Sequence, residues 1–427
     1  MKIRKAIKSD SVKDFSSLFF SNILQKFFGL IREIIIASVF GSALIYANYL
    51  LLRTVADFFS QFTVGNALKA NLLPKFTKVI EKYNQVSLSK VFYFSKKTML
   101  LLFVLSQIIQ FIIIDYLDSE YTLELMLISV LLGVSISFNF LNTIYLTFIQ
   151  SQARFLRYSL ATTLNSFLFL LFVKPLTFLL NISGLVISRL IGILTLTFCY
   201  ILPMNKEKKG FEVELSSKDF NLPTLILGNF ANIIILSSRF VSGLDGGREI
   251  AYFTYSVFIL NALLTSVIGN ISTLLLRKMS IRRNNIFMLY SLIISFLVGL
   301  CLVIGLEFFG FEIIELVYKR GNFTPNDVTQ TTKFIKDLSY SFIFIFISTT
   351  LFQPFFSLDI ISTRKVRMWI SIIFILTVLA GVIFAFVNSN FGVAKESIII
   401  IYSSSIMSVL LSAYSYYYYL KIYDKKS

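Results

Sequence analysis

Seven charged side chains lie inside stretches of sequence that are otherwise apolar. The cations are Lys26, Arg32, Arg53, Arg189 and Arg239, and the acids are Glu33 and Asp57. A charge at the centre of a bilayer costs about 2.5–3.5 kcal/mol on insertion scales, so such a group normally faces a cavity or an oppositely charged partner. The excess of cations favours an anionic ligand, and the planar guanidinium fork matches the geometry of phosphate.

The first apolar stretch carries four of the residues that could line a site. With about 100° of rotation per helical residue, Lys26, Gly29, Arg32 and Glu33 share one third of the helix circumference. The other side of this helix is made of Leu, Ile and Phe. This single polar face is typical of the wall of an internal cavity, and we predict that it is cationic.

The other intramembrane charges allow two interpretations each. Arg53 and Asp57 are four residues apart, so they are close enough on a helix to pair. Mutual neutralisation is slightly favoured over direct contact of Arg53 with a ligand, and Asp57 and Glu33 are the candidates for ion coupling. For Arg189 and Arg239, a charge that snorkels from near a helix end to the interface is as good an interpretation as a binding role.

The amino-acid composition indicates the class of protein in which these residues are positioned. Of 427 residues, 56 % are hydrophobic and only 15 % are charged, against about 45–50 % and about 25 % in soluble domains. We therefore predict an integral membrane protein. Its net charge of +17 reflects basic loops rather than a nucleic-acid partner. The chain has no histidine and no P-loop for ATP, and Cys199 and Cys301 are interpreted as small hydrophobic residues.

The hydropathy pattern predicts an all-α polytopic fold with about twelve transmembrane helices. Each apolar stretch has the roughly 20 residues that a helix needs to cross the hydrocarbon layer. The predicted spans are 15–41, 43–66, 91–114, 121–149, 155–180, 183–203, 222–243, 251–276, 286–309, 333–357, 368–390 and 396–420.

The loop charges predict the orientation of these spans. With twelve spans, 28 of the 40 cations lie at the chain ends or in loops on one side of the membrane, and seven lie on the other side. Because Lys and Arg collect in cytoplasmic loops, both termini are predicted to be cytoplasmic.

The longest polar stretch between spans divides the chain into an N-terminal six-helix bundle (1–204), a linker (205–220) and a C-terminal six-helix bundle (221–427). Two weak sequence repeats support this division. Gly65 and Asn66 near the end of span two are echoed by Gly269 and Asn270 near the end of span eight. The basic segment 153–157 is echoed by 363–367. The pattern predicts two halves of the same orientation, as in transporters with parallel repeats.

Three motifs resemble those of the MurJ/MviN lipid II flippases, within the MOP superfamily that also includes Wzx-like O-antigen flippases and MATE exporters. Residues 25–33, followed by Phe40 and Gly41, are similar to the signature of that family's first helix. Residues 66–74 resemble its loop after helix two, and residues 318–327 resemble its Arg-Gly-x-Phe-Thr-x-x-Asp segment before helix ten.

The resemblance implies two bundles around a central cavity in a bacterial inner membrane, with alternating access that requires no ATP or cofactor. It implies coupling to membrane potential or to an Na⁺ or H⁺ gradient, and it carries substrate-site roles to Lys26, Gly29, Arg32 and Glu33. The expected substrate is an undecaprenyl-pyrophosphate-linked saccharide. Because the chain departs from the family near Ala47, an O-antigen or capsule repeat unit stays open beside lipid II. We expect a monomer whose other partners are membrane lipids.

Two other functions remain alternatives at this point. A cation-coupled, MATE-like drug exporter would use Glu33 and Asp57, but cationic drugs favour an acidic cavity. A membrane glycan polymerase or ligase would need a large outer loop, whereas the predicted outer loops are short. We therefore predict a transporter and not an enzyme.

Overall fold

The computed structural model describes residues 2–64, 66–83, 86–117, 120–152, 154–204, 211–216, 221–281, 285–358, 360–387 and 392–424. Within them the chain is almost entirely helical, which confirms the all-α prediction. The α-helices described are α1 (Lys2–Phe40), α2 (Leu44–Val64), α3 (Asn66–Lys82), α4 (Ser89–Leu117), α5 (Thr122–Ser151), α6 (Phe155–Leu196), α7 (Leu202–Met204), α8 (Leu222–Gly228), α9 (Phe230–Val241), α10 (Glu249–Leu263), α11 (Gly269–Ile281), α12 (Asn285–Tyr318), α13 (Pro325–Leu351), α14 (Gln353–Phe356), α15 (Ile360–Val387) and α16 (Val393–Asp424).

Many of these helices have the length and composition of membrane spans. In the described part of the chain, eight helical segments are long and apolar enough to cross a bilayer. A ninth candidate is the pair α8 and α9, which is bent by 73°. The helices α1 and α2, which carry most of the predicted intramembrane charges, lie outside that set. α2 matches the second predicted span, 43–66, whereas α1 begins at Lys2, well before the first predicted span, 15–41.

One long helical segment, from α6 through a π-helical turn (Thr197–Ile201) to α7, contains predicted spans five and six. Its chain reverses near Asn181, which has a φ of 48°. A Cβ on Gly184 would lie 2.0 Å from the carbonyl oxygen of Leu176, and one on Gly192 would lie 2.4 Å from Oδ1 of Asn165. These close approaches on either side of Asn181 show two antiparallel arms, which require glycine where they touch.

The segment after α2 differs from the prediction of a loop at residues 66–74. It forms the helix α3, whose buried Leu72 and Phe76 lie four residues apart on one face. Phe76 packs edge-on against Phe148 of α5, with 5.5 Å between the ring centroids. The prediction was wrong because the lysines of this amphipathic helix make it polar on average, although one face is apolar.

A short parallel sheet joins the segment before α4 to part of the predicted linker. Its strands are β1 (Val86–Ser87) and β2 (Phe211–Glu212). The ring of Tyr83 stacks on that of Phe211 at a centroid distance of 3.9 Å. Gly65 and residues 205–210 and 217–220, on which the repeat and the linker were predicted, lie outside the described residues.

Charges flank this small sheet. Nζ of Lys90 forms ion pairs with Glu212, at 3.2 Å, and with Glu214. Nζ of Lys75 donates a hydrogen bond of 2.7 Å to the carbonyl oxygen of Glu214. The segment 211–216 is therefore attached to α3 and α4 by lysine side chains and to β1 by backbone pairing.

The chain folds into two compact units, which we name unit 1 (residues 1–39 and 55–225) and unit 2 (residues 40–54 and 226–427). In unit 1, a hydrogen bond of 2.9 Å joins α4 to α5: the side-chain amide of Gln107 donates it to the carbonyl oxygen of Ser129. The division into six-helix bundles at residues 205–220 stays a prediction.

Small hydroxyl side chains join the helices of unit 2. Ser295 of α12 lies 2.7 Å from Thr350 of α13, measured between their hydroxyl oxygens. Ser348 of α13 lies 2.8 Å from Ser408 of α16. Small polar residues permit this close approach of helices in an apolar setting, where a hydroxyl needs a partner.

Candidate anion-binding site

The helix α1 is held on the first arm of α6 by hydroxyl and amide groups. The hydroxyl of Ser21 donates 3.2 Å to the carbonyl oxygen of Ser159. One turn later, the amide of Gln25 donates 3.1 Å to the hydroxyl of Thr162. Because the contacts advance together along both helices, α1 and this arm are parallel. This packing fixes the rotation of α1 and hence the direction of its polar face.

Arg32 is the best-positioned cation of that face. Its Nη2 lies 2.9 Å from Oε1 of Glu33, and its guanidinium carbon lies 4.5 Å from the ring centroid of Phe169 on α6. The Arg32 side chain is 20 % exposed and that of Glu33 only 5 %. Among the described residues, Nη1 of Arg32 has no hydrogen-bond partner. The group is therefore held by one edge and one face while another edge can donate to a ligand.

Lys26 and Gly29 lie on the same side of α1. The side chain of Lys26 is exposed, and a Cβ built on Gly29 would meet nothing within 4 Å. Lys26 and Arg32 are separated by about 9 Å along the helix axis. Three members of the predicted face thus border open space, whereas Glu33 is buried against the protein.

Asp57 of α2 pairs with Arg189 on the second arm of α6. Oδ1 of Asp57 lies 3.7 Å from Nη2 of Arg189, and both side chains are about one-fifth exposed. The structure gives Asp57 a partner that the sequence did not suggest. Arg53 is half-buried, and its predicted neutralisation by Asp57 stays a prediction.

Arg239 is a buried cation of α9 and is 7 % exposed. Its Nε donates 2.8 Å to the hydroxyl of Thr54, which itself donates 2.7 Å to the carbonyl oxygen of Leu50. Arg239 and Arg53 belong to unit 2. The other predicted site residues, which are Lys26, Gly29, Arg32, Glu33 and Asp57, belong to unit 1.

Three residues that touch the predicted charges escaped the sequence analysis as contacts. Phe169 lies in an apolar stretch in which nothing distinguishes it from neighbouring aromatic residues. Thr54 follows Arg53 directly, but only the fold brings Arg239 to it. Arg189 was visible as an intramembrane charge, but the sequence pattern pointed to Arg53 as the partner of Asp57 and carried no signal for Arg189.

A separate cavity of about 640 Å³ lies within unit 2. It mixes acids with cations, namely Asp245, Glu249, Asp337, Arg248, Lys333 and Lys395. None of the predicted site residues lines it. Across the described residues, no group of three or more His, Cys, Asp or Glu side chains is arranged to hold a metal ion.

The fold is similar to those of known transporters. A structure of the lipid II flippase MurJ in an inward closed conformation matches with a TM-score of 0.74 and 20 % identity, over 95 % of this chain and 87 % of that one. An inward-facing multidrug resistance MATE transporter of the MOP superfamily matches with a TM-score of 0.66 and 13 % identity, over 94 % and 96 % of the two chains. A MOP superfamily transporter from Pyrococcus furiosus gives 0.52 and 14 %, over 97 % and 94 %.

Sequence comparison identifies the family to which the protein belongs. A search of curated proteins gave no significant match. The profile of the lipid II flippase MurJ family, in contrast, matches residues 36–425. The polar face of α1, from Lys26 to Glu33, precedes the matched residues. Because the match covers most of the chain, the protein belongs to the lipid II flippase MurJ family, whose members are transporters rather than enzymes.

Proposed function

We propose that this protein is a flippase that moves an undecaprenyl-pyrophosphate-linked saccharide from the inner to the outer leaflet by alternating access. Membership of the MurJ family supports a lipid-linked substrate. The proposal assigns pyrophosphate binding to Lys26 and Arg32 of unit 1, and it keeps Arg53 and Arg239 of unit 2 as further candidates. Gly29 leaves room for the headgroup beside α1.

The observation that carries this proposal is the state of Arg32. Its Nη2 and Nε donate to Glu33, its guanidinium group lies over the ring of Phe169, and its Nη1 has no hydrogen-bond partner among the described residues. A guanidinium held in this way loses little side-chain entropy when it binds phosphate, so more of the interaction energy appears as affinity. Charge-assisted hydrogen bonds to phosphate are also among the strongest available.

The orientation follows from the loop charges. We place both termini in the cytoplasm of a bacterium and the helices in its inner membrane, because the cations of the predicted loops collect on the side of the termini. The substrate then enters from the side on which such lipids carry their newly made headgroup. A single copy of the chain suffices for this scheme.

Energy in this proposal comes from the membrane potential or from an Na⁺ or H⁺ gradient. Asp57 is the better coupling candidate, because its side chain is 18 % exposed, whereas that of Glu33 is only 5 % exposed. Glu33, by contrast, is buried and directly bonded to Arg32. Substitution of Asp57 by Asn is expected to uncouple transport from the gradient without abolishing substrate binding.

A cation-coupled drug exporter is less well supported. Glu33 and Asp57 each lie against an arginine, so neither presents an uncompensated negative charge to a cationic drug. The likeness to MATE structures concerns the fold, at identities of 12–15 %.

The proposal is tested by transport in proteoliposomes, with fluorescent lipid II and a fluorescent undecaprenyl-pyrophosphate O-antigen unit as the two substrates. Loss of hydrogen bonds to a charged group costs about 1.5–3 kcal/mol, so Arg32→Ala should reduce transport by roughly tenfold or more. Arg32→Lys should restore only part of it, because an ammonium lacks the fork. Arg364→Ala removes an exposed cation of α15 and serves as the matched control.

Each outcome has a definite meaning. Transport of one lipid and not the other by the wild-type protein identifies the saccharide class. Normal transport by a correctly inserted Arg32→Ala variant would contradict the assignment of the binding site. Failure of the wild-type protein to move either lipid under an imposed potential or ion gradient would contradict the proposed function.

A further inference from the structure

A groove of about 550 Å³ runs along the outer surface of unit 1 between α4 and α5. It is distinct from the polar face of α1 and includes none of the residues assigned to the flippase site. The residues that line it are Tyr93, Lys96, Lys97, Met99, Leu100, Phe103, Val134, Ser137 and Phe138. Exposed Leu101 and Leu105 lie beside it on α4, so we expect this surface to face lipid in a membrane.

One end of the groove is cationic. Lys96 and Lys97 are exposed, and Nζ of Lys97 lies 4.7 Å from the ring centroid of the exposed Tyr93. No acid lines the groove, and among the described residues neither lysine forms an ion pair with a carboxylate. Lys90, nearer the start of α4, differs because Glu212 and Glu214 already neutralise it. The two lysines of the groove are thus uncompensated cations at the edge of an apolar surface.

The rest of the groove is apolar. The hydroxyl of Ser137 donates hydrogen bonds of 3.0 Å to the carbonyl oxygens of Met99 and Gly133. Its donor is therefore already satisfied without a polar ligand. Phe103 and Phe138 form the walls. A Cβ on Gly133 would lie 3.0 Å from the ring of Phe103. The absence of a side chain at Gly133 therefore allows this ring to pack against α5, where it forms the end of the groove away from the lysines.

The dimensions fit one part of a lipid. From Lys96 to Phe103 the groove extends about 10 Å along the helix axis. A groove of that length accommodates the half of one acyl chain that lies nearer the headgroup. The lysines lie within about two turns of Ser89, where α4 begins, and Lys and Tyr side chains at this depth reach the headgroup layer.

We propose that this groove is a binding site for an anionic glycerophospholipid, with its phosphate held by Lys96 and Lys97 and one acyl chain lying against Phe103 and Phe138. A phospholipid fits better than the polyprenyl-linked substrate, because the cationic end lies at headgroup depth on the lipid-facing surface. The site would tie unit 1 to membranes rich in acidic lipid. This inference does not rest on the flippase function.

The test measures lipid adducts of the purified full-length protein by native mass spectrometry, with dioleoylphosphatidylglycerol and dioleoylphosphatidylethanolamine titrated separately. Phosphatidylglycerol is expected to give the tighter adduct. Each basic residue near an anionic lipid surface contributes about fivefold in affinity, so the double variant Lys96→Gln/Lys97→Gln should weaken phosphatidylglycerol binding by roughly tenfold or more. Its binding of phosphatidylethanolamine should not change.

Two further variants separate a built site from general attraction. Arg364→Gln/Lys365→Gln removes an adjacent pair of exposed cations near the start of α15 and should leave the tight phosphatidylglycerol adduct intact. Val134→Trp keeps both lysines but fills the groove, and it should weaken that adduct. A thermal melt of each variant verifies that it is folded, and Val134→Leu replaces Val134→Trp if the larger side chain unfolds the protein.

Equal losses in the two double variants, or full binding by the filled groove, would overturn the proposal in favour of non-specific attraction. Displacement of the lipid by glycerol 3-phosphate alone would show that the acyl chain contributes nothing, which also contradicts it. Titration with undecaprenyl phosphate distinguishes the remaining source of the same chemistry. If the lysine variant lost that lipid and retained phosphatidylglycerol, the groove would belong to the transport substrate.

Discussion

Ser42 donates a hydrogen bond of 2.6 Å to Oδ1 of Asp327, which joins the turn after α1 to the first turn of α13. The other carboxylate oxygen of Asp327 accepts 2.8 Å from the backbone N–H of Thr324 and completes a capping box. Beside Ser42, Gly41 has a φ of +51°, and a Cβ there would lie 2.4 Å from the carbonyl oxygen of Asn322. The Phe40–Gly41 end of the first family-like motif therefore meets the third motif within unit 2.

Asp327 should be essential for the stability of this junction. The side chain is 2 % exposed, and its two carboxylate oxygens accept hydrogen bonds from the hydroxyls of Ser42 and Thr324. Asp327→Asn keeps the size but presents only one acceptor oxygen, and hydrogen bonds to a charged group contribute about 1.5–3 kcal/mol. A lower thermal midpoint in fluorescence-detected size-exclusion chromatography is expected. Asn326→Ala, an exposed neighbour, is the control, and equal midpoints for both variants would rule out the capping role.

Arg367 should matter for folding more than any exposed cation of α15. It is 1 % exposed, its Nε donates 2.8 Å to Thr363, and its Nη2 donates 3.1 Å to the carbonyl oxygens of Phe355 and Leu358. Arg367→Ala would leave carbonyls near the end of α14 without this donor, at about 1–3 kcal/mol for each buried group.

The measurement for Arg367 is the yield of monodisperse protein and its thermal midpoint. Arg367→Lys should recover little, because one ammonium cannot reproduce the planar fork that reaches three oxygens. Arg364→Ala should behave as the wild type, since Arg364 is exposed. A fully stable Arg367→Ala variant would show that water satisfies these carbonyls.

The long apolar helices were predictable because a helix that crosses a bilayer needs about 20 apolar residues in a row, which is a local property of the sequence. The reversal within α6 was equally visible, since a predicted span ends at residue 180 and the structure turns at Asn181. The start of α13 was not predicted, because the predicted span begins at residue 333 whereas the helix begins at Pro325, after its cap Thr324. For the apolar helices and the reversal, the decisive features lie within a few residues of one another.

Partners that are distant in sequence could not be predicted. Arg367 was counted only as a loop cation, because nothing near it in the sequence shows that carbonyl oxygens at the end of α14 will accept its hydrogen bonds. The pairing of Asp57 with Arg189 likewise depends on how α2 meets the second arm of α6. The polar face of α1 was predicted as one surface, whereas packing on α6 buries Glu33 and leaves Lys26 exposed.

The pair formed by Asp57 and Arg189 should show energetic coupling. Asp57→Asn and Arg189→Gln each remove the attraction between these two charges while one charge stays in place, so each single variant should be less stable than the wild type. The double variant removes both charges and should recover part of the loss, with a coupling energy of about 0.5–3 kcal/mol. Denaturation of the four proteins in mild detergent gives this cycle, and strict additivity would contradict a direct interaction.

The attachment of the segment 211–216 should weaken in acid. The hydrogen bond and charge of Lys90 hold the pKa of Glu214 below its ordinary value of 4.5. A carboxyl with a lowered pKa stabilises the folded state above its ordinary pKa and loses that contribution as the pH falls through the folded value. The Val213 amide donates a hydrogen bond of 3.2 Å to the carbonyl oxygen of Ser87. Its protection from hydrogen exchange should therefore fall below pH 4.5, once rates are normalised to the intrinsic rate at each pH.

Glu214→Gln should show the weaker protection already at neutral pH and lose the acid transition, whereas Glu81→Gln on α3 should retain it. An unchanged acid transition in Glu214→Gln would assign the effect to another group, with Glu212, the second partner of Lys90, as the next to substitute.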